Sequence, residues 1–153
     1  MVEDSPLALL SANIQGLCPA KGKHKVRMIG ETADECNIGI ICLTETHLCT
    51  DHVEAEVAIK GFVPFRSDRP GSSKRGGVIL YLRDELAPGT EEVCRGSNSN
   101  IEYLVIRIKT LNLTVVAIYR PPMSDSDNFE KTLKTIEENL STGFIRISLP
   151  QNI

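Results

Sequence analysis

The sequence predicts an α/β or α+β fold, a mixed β-sheet with covering helices, from two observations. Apolar runs with the character of buried strands first alternate with segments of helical periodicity. Two β-rich runs then follow each other, separated only by a tight turn, which is typical of an antiparallel hairpin. An alternating part followed by a hairpin predicts a mixed sheet against which helices pack.

The alternating part predicts four strands and two helices. Residues 7–13 (LALLSAN) predict a buried strand, and residues 25–36 carry apolar side chains at spacings of three and four, which place them on one helix face. Residues 37–43 (NIGIICL) form a continuous apolar run, as expected for a strand covered on both faces. The remaining elements are a short helix capped at Thr50 or Asp51 and ended at Gly61, and strands at 62–66 and 76–82.

The second part predicts the hairpin and a third helix. The β-rich runs 101–109 and 113–120 flank the turn, and Pro121 prevents the second strand from continuing. A helix is predicted to begin near Asp127, because Asp127 and Glu130 have the spacing of a capping pair.

Composition limits the class of protein. Apolar residues make up 41% and charged residues 24% of the 153 residues, which is ordinary for a soluble domain with one core. No apolar stretch approaches the roughly 20 residues that span a bilayer, and the acidic N-terminus lacks the basic start of a secretory signal. We expect an intracellular, soluble protein, nuclear or cytoplasmic, with no membrane partner. Five cysteines without a C-x-x-C pair indicate reduced structural thiols and disfavour zinc.

Basic residues are concentrated in two places, although the formal net charge is −3. One cluster spans residues 21–27 and the other spans residues 66–77, a loop-like stretch rich in Gly and Ser. The net charge argues against a protein that coats nucleic acid by bulk electrostatics. Each cluster is explained either as a solvated loop or as a local rim that contacts phosphates.

Polar side chains follow three of the predicted strands. Asn13, Glu45 and Tyr119 each lie at or just after the carboxyl end of an apolar run. In layered α/β folds such strand ends converge on a cleft. Each residue also has a simpler explanation: a turn former, a carboxylate at a helix start, and a half-buried strand residue.

Five motifs favour the interpretation that these strand ends form a cleft. The sequence contains SANIQGL, ICLTETHL, GFVPFRSDR, RGGVILYLR and VVAIYRPP in this order. In order and spacing they resemble the endonuclease/exonuclease/phosphatase superfamily, and most of all the apurinic-type endonuclease domain of non-LTR retrotransposons. The resemblance covers residues 7–140, nearly the whole chain.

The resemblance implies a fold and a site. The family fold is a four-layer, two-sheet sandwich flanked by helices, with a divalent cation, Mg²⁺ or Mn²⁺, in a cleft at the strand ends. Glu45 would bind the metal, Asn13 would lie beside it and Tyr119 would contact the scissile phosphate of DNA. The basic residues that would lie near the DNA-binding rim are Arg66, Arg69, Lys74 and Arg75.

The sequence departs from the family after residue 140. The family continues with a Gly-Asp-x-Asn strand and a Ser-Asp-His motif, but this chain has no aspartate after Asp127 and no histidine after His52. Residues 141–153 are a divergent tail in place of the expected strand. Asn152 is a weak substitute for the missing motif residues. His47 follows the metal-binding position and is expected to be a structural or surface residue.

The departure predicts a truncated fold and an incomplete site. We expect about one and a half of the two sheets, with an uncovered edge that favours self-association. Three functions remain: a Mg²⁺-dependent endonuclease that is catalytically incomplete in this chain, a phosphatase of phosphorylated lipid or inositol, and a non-catalytic remnant that binds nucleic acid or protein. The retrotransposon-like motif spacing argues against the phosphatase.

Overall fold

Eight strands form two four-stranded sheets in a computed structural model of the chain, which describes residues 7–18, 24–71, 75–140 and 145–148. The first sheet has the order β1-β2-β4-β3 and the second has the order β5-β6-β7-β8. The first sheet contains β1 (Ala8–Asn13), β2 (Ile38–Thr44), β3 (Phe62–Ser67) and β4 (Val78–Arg83). The second contains β5 (Thr90–Asn98), β6 (Ile101–Ile108), β7 (Leu113–Tyr119) and β8 (Ile145–Ser148).

Both sheets are mixed. Strands β1 and β2 are parallel, whereas β4 pairs antiparallel with both β2 and β3. In the second sheet β6 pairs antiparallel with β5 and β7, and β8 pairs parallel with β7. The mixed sheet and the antiparallel hairpin predicted from the sequence are therefore confirmed.

The two sheets pack face to face between helices. Alternate side chains of β2 and β4 meet those of β6 and β7 in the layer between the sheets, including Ile40, Leu80, Leu104 and Ala117. The helices are α1 (His24–Glu35), α2 (Glu54–Val57) and α3 (Ser126–Asn139). Helices α1 and α2 cover the outer face of the first sheet, and α3 covers the outer face of the second. The architecture is four layers, as expected for an α+β sandwich.

Two strands of the second sheet were not predicted from the sequence: β5, and β8, which lies within the segment 141–153. The second sheet therefore has four strands, as many as the first, where about half a sheet was expected. Strand β5 is polar and carries a bulge near Cys94, so it lacks the apolar alternation that marks a strand. Self-association at the sheet edges stays a prediction, as does the division of the chain at residue 140.

The capping residues of two helices also differ from expectation. Thr50 and Asp51 do not cap α2, because residues 49–52 form their own turn, in which the His52 N–H donates to the Cys49 carbonyl at 3.0 Å. The helix begins at Glu54. Helix α3 begins at Ser126, within one residue of the predicted start, but its cap is the Asp125 carboxylate, which accepts the Asp127 N–H at 3.1 Å, rather than the pair of Asp127 and Glu130.

No helix among the described parts of the chain has the length and apolar character needed to cross a membrane. The described helices instead place their apolar faces on the two sheets.

The layer between the sheets should dominate stability. Leu104 is fully buried there, whereas Leu111 is 44% exposed. We expect Leu104→Ala to lower the free energy of unfolding by about 2–5 kcal/mol through lost burial and a cavity. Leu111→Ala, the matched control, should change it by less than about 0.5 kcal/mol. Urea unfolding measures both, and equal effects would contradict the packing of the two sheets.

Candidate functional site

Glu45 lies directly after β2, one of the two central strands of the first sheet. Its φ is 53° and that of His47 is 56°, a left-handed conformation that costs a non-glycine residue about 1–3 kcal/mol. Hydrogen bonds on both sides hold this segment: the Gly16 N–H donates to the Glu45 carbonyl at 2.8 Å, and the His47 N–H donates to the Gly76 carbonyl at 2.9 Å. The backbone therefore fixes the direction of the Glu45 side chain.

Tyr119 joins Glu45 from the other sheet. It ends β7, and its hydroxyl donates to Glu45 Oε1 at 2.6 Å. Burial and then the hydrogen bond to this carboxylate raise the pKa of the Tyr119 phenol well above its usual value. The phenol is thus protonated at neutral pH and donates to Glu45. This contact makes one site from the ends of two sheets.

Asn13 lies at the same edge of the first sheet. It ends β1 and is the register partner of Thr44, the residue before Glu45. Its side-chain oxygen accepts the Gln15 N–H at 3.2 Å, which is the local turn that asparagine favours. Asn13 therefore both shapes the loop after β1 and lies next to the Glu45 segment.

His47 faces the Glu45 carboxylate, with Nε2 4.0 Å from Glu45 Oε2. Burial lowers the pKa of the His47 imidazole, and the positive charges of Lys25, Arg69 and Arg75 lower it further, whereas Glu45 opposes the shift. The imidazole is neutral at neutral pH. The sequence had indicated only a structural or surface residue, and the geometry adds its proximity to Glu45.

Lys25 belongs to the first basic cluster and ties α1 to the loop after β1. Its ammonium group donates to the carbonyls of Ile14, Gln15 and Gly16 at 2.7, 3.2 and 2.9 Å. The ammonium group is therefore part of the loop structure, and it adds positive charge beside His47.

Solved structures with the same architecture exist. The endonuclease domain of TRAS1, a telomere-specific non-LTR retrotransposon, matches 92% of the chain with a TM-score of 0.61 and 17% identity. An endonuclease/exonuclease/phosphatase family protein from Leptotrichia buccalis matches 92% with a TM-score of 0.60 and 13% identity. An AP endonuclease from Archaeoglobus fulgidus matches 86% with a TM-score of 0.53 and 18% identity.

The chain has the endonuclease/exonuclease/phosphatase fold. It covers 57%, 66% and 49% of those three structures, respectively, so it spans about half to two thirds of their length. No protein-family model and no curated protein matches the sequence. The fold predicted from the five motifs is thereby confirmed.

Two of the arginines expected at a DNA rim of this fold are engaged within the chain. Arg66 donates to the carbonyls of Cys49 and His52 at 3.1 and 2.9 Å, and pairs with Asp68 at 3.0 Å. Arg69 is only 12% exposed and pairs with Glu102 at 2.7 Å.

The other two rim residues differ in what the structure shows. Arg75 is exposed at the site end of the molecule, and its charge acts on His47. Lys74 lies outside the described residues, as does Asn152. A role for any of these residues in binding DNA stays a prediction.

Sequence reasoning missed Glu102, which is fully buried beside this site. It pairs in register with Tyr119 across β6 and β7. Within the apolar run IEYLVIRI it was the one acidic residue, and a charge inside a buried strand signals a partner. Only the structure identifies that partner as Arg69.

The donors at the strand ends fit a largely hydrated cation shared with a substrate. Glu45 Oε1 accepts the hydrogen bond from Tyr119, and among the described residues the contact of Oε2 is with His47 Nε2 at 4.0 Å. Within the described ranges no three His, Cys, Asp or Glu side chains are grouped to form a metal cage. Mg²⁺ keeps several waters and needs one or two carboxylates plus phosphate oxygens. Glu45, with Asn13 beside it, meets that minimum.

The titration of His47 tests this geometry. We expect the pKa of His47 to lie below the usual value of roughly 6.5. Glu45→Gln should lower this pKa further, because it removes a negative charge that raises it. Lys25→Met should raise it, because it removes a positive charge that lowers it. Because the folded pKa lies below the unfolded one, the neutral ring contributes stability above the unfolded pKa that is lost as the pH falls through the folded pKa.

Proton NMR of the three histidine rings across pH measures these values, with His47→Gln to assign the signal. The chemical shifts of the other two histidine rings, compared at one fixed pH, are the control that each variant keeps its fold. A pKa of His47 that rises in Glu45→Gln would contradict the placement of the imidazole beside that carboxylate.

Proposed function

We propose that this chain carries part of a Mg²⁺-dependent phosphodiesterase site of the endonuclease type, with the DNA backbone as substrate, and that it does not complete hydrolysis by itself. The observation that carries the proposal is the 2.6 Å hydrogen bond from Tyr119 of the second sheet to Glu45 of the first. It places an oriented carboxylate at the strand ends, where ligands bind in layered α/β folds.

Glu45 is the metal ligand in this proposal, through Oε2, and Asn13 is the neighbouring amide. A bound Mg²⁺ or Mn²⁺ would neutralise charge on a phosphodiester. Tyr119 holds the carboxylate in one orientation because its phenol donates to Oε1 and stays protonated. Orientation of a ligand by such a hydrogen bond is worth about 10–100-fold in metal affinity.

Positive charge around Glu45 supports a phosphate substrate. Arg75 is exposed at this end, and Lys25 is fixed behind the loop after β1. Charges of this kind attract a phosphate backbone without reading its sequence. The five motifs, and the fold shared with the endonuclease domain of TRAS1, support DNA over a phosphorylated lipid or inositol and support a retrotransposon origin.

The proposal that catalysis is incomplete is supported by the groups that the described residues provide. Hydrolysis requires a group that positions or deprotonates the attacking water. Glu102 is fully buried and paired with Arg69, and the carboxylate of Glu45 is assigned to the metal. His47 Nε2 lies 4.0 Å from Glu45 Oε2, but in the family that the ICLTETHL motif resembles this position only follows the metal-binding residue and carries no catalytic role.

Binding of Mn²⁺, followed by water-proton relaxation, tests the metal site without requiring turnover. We expect Glu45→Gln to weaken binding by at least about tenfold and Tyr119→Phe by roughly 10–100-fold. Glu54→Gln, at an exposed position of α2, and Tyr103→Phe, on the outer face of the second sheet, are the matched controls. Equal affinity in Glu45→Gln and Glu54→Gln would refute the role of Glu45.

Nicking of supercoiled plasmid in Mg²⁺ tests incompleteness with the same variants. We expect the folded chain to bind plasmid but to nick it no faster than Glu45→Gln does. Nicking that requires Mg²⁺ and disappears in Glu45→Gln but not in Glu54→Gln would show a complete endonuclease. Release of phosphate from an inositol phosphate, with no binding to plasmid, would assign the chain to the phosphatase alternative.

A further inference from the structure

Glu102 is a fully buried carboxylate that receives four hydrogen bonds. Arg69 donates through Nε to Oε1 at 2.7 Å and through Nη2 to Oε2 at 3.2 Å. The Gly77 N–H donates to Oε2 at 3.2 Å, and the Ser97 hydroxyl donates to Oε1 at 3.2 Å. A buried charge persists only with such compensation, so Glu102 imposes a fixed geometry on all of its donors.

The donors come from both sheets. Arg69 lies in the connection between β3 and β4, and Gly77 directly precedes β4 of the first sheet. Ser97 lies in β5 and Glu102 itself lies in β6 of the second sheet. The carboxylate therefore fastens the loop before β4 to the second sheet at the end of the molecule where Glu45 and Tyr119 meet.

The backbone directly before β4 is hydrogen-bonded to the residues that follow Glu45. The Gly76 carbonyl accepts the His47 N–H at 2.9 Å, and the Gly77 carbonyl accepts the Thr46 N–H at 3.4 Å. A Cβ at Gly76, where φ is 63°, would lie 2.6 Å from Glu102 Oε2 and 2.5 Å from Arg69 Nη2. Only glycine permits this close approach, so a shift of the pair would shift the segment that carries Glu45.

Glu102 also borders the other half of the contact. Its Cα is the register partner of Tyr119 in the antiparallel pair of β6 and β7, which places the two residues side by side. The same carboxylate thus adjoins Tyr119 directly and reaches the Glu45 segment through Gly76 and Gly77.

We propose that Glu102, held by Arg69, is a positioning residue that sets the Tyr119–Glu45 contact by fixing the Gly76–Gly77 backbone against the second sheet. The proposal deepens the proposed function, because the oriented carboxylate is the metal ligand of that site. It also reassigns Arg69 from the DNA rim to the support of the site. A buried ion pair that only stabilises the fold is the alternative.

The test uses the ¹³Cζ resonance of Tyr119 in the chain labelled at its three tyrosines, at one fixed pH and without metal. This resonance reports the hydrogen bond made by the phenol oxygen. We expect Glu102→Gln to move the Tyr119 signal in the same direction as Glu45→Gln. The double variant should move it by clearly less than the sum of the two, because the contact is already weakened by the first change.

The control is Asp34→Asn. It breaks the 2.8 Å pair between Asp34 and Arg83, at the end of β4 far from Gly77, and should leave the Tyr119 signal unchanged. If Glu102→Gln does not fold, Arg69→Lys keeps the positive charge but not the two-pronged geometry, and should move the signal in the same direction. An unmoved signal in the folded variant, or strictly additive shifts, would overturn the proposal.

Affinity for Mn²⁺ separates this inference from the function on which it rests. We expect Glu102→Gln to weaken Mn²⁺ binding by roughly 10–100-fold, as for other residues that orient a ligand, while Asp34→Asn does not. If Glu45→Gln binds Mn²⁺ as tightly as the unsubstituted chain does, or if neither binds it, the proposed function fails. The metal-free NMR signal then still decides whether Glu102 positions Tyr119.

Discussion

The packing of one sheet on the other is the constraint on which the rest of the structure depends. Side chains such as Ile40 and Leu80 of the first sheet are buried against Leu104 and Ala117 of the second, and close packing allows little freedom in how two sheets align. With the faces fixed, the strand ends are fixed too. Glu45 and Tyr119 are separated by 74 positions in the chain, and it is the packing of the core that brings them within hydrogen-bond distance.

Polar groups at this end are ordered from the inside outward. Glu102 is fully buried, pairs with the mostly buried Arg69 and also accepts hydrogen bonds from Gly77 and Ser97. Such a pair imposes geometry even where it adds little net stability. Tyr119 and Glu45 lie next to it and are partly exposed. Arg75 is at the surface. Rigid groups inside and accessible charges outside are what the proposed site for a phosphodiester and a hydrated cation requires.

Elements with a clear apolar pattern were predictable from the sequence, whereas polar elements such as β5 were not. Strands such as β2 and β7 are predominantly apolar runs, and the positions of Asn13, Glu45 and Tyr119 at strand ends predicted that the three converge on one cleft. Strand β5 escaped because its pairing with β6, rather than its own polar side chains, makes it a strand. Glu102 was not predicted as a site residue for a related reason. A buried carboxylate is stable only with a partner, and the position of that partner, Arg69, is defined only in the folded chain.

A double-mutant cycle on the free energy of unfolding tests most directly whether the two sheets build one site. Glu45→Gln, Tyr119→Phe and the double variant are compared with the unsubstituted chain. A hydrogen bond to a charged group in this geometry predicts a coupling of about 1–2 kcal/mol between the two substitutions. Effects that add within roughly 0.3–0.5 kcal/mol would mean that Glu45 and Tyr119 do not meet, and the site would lose its basis.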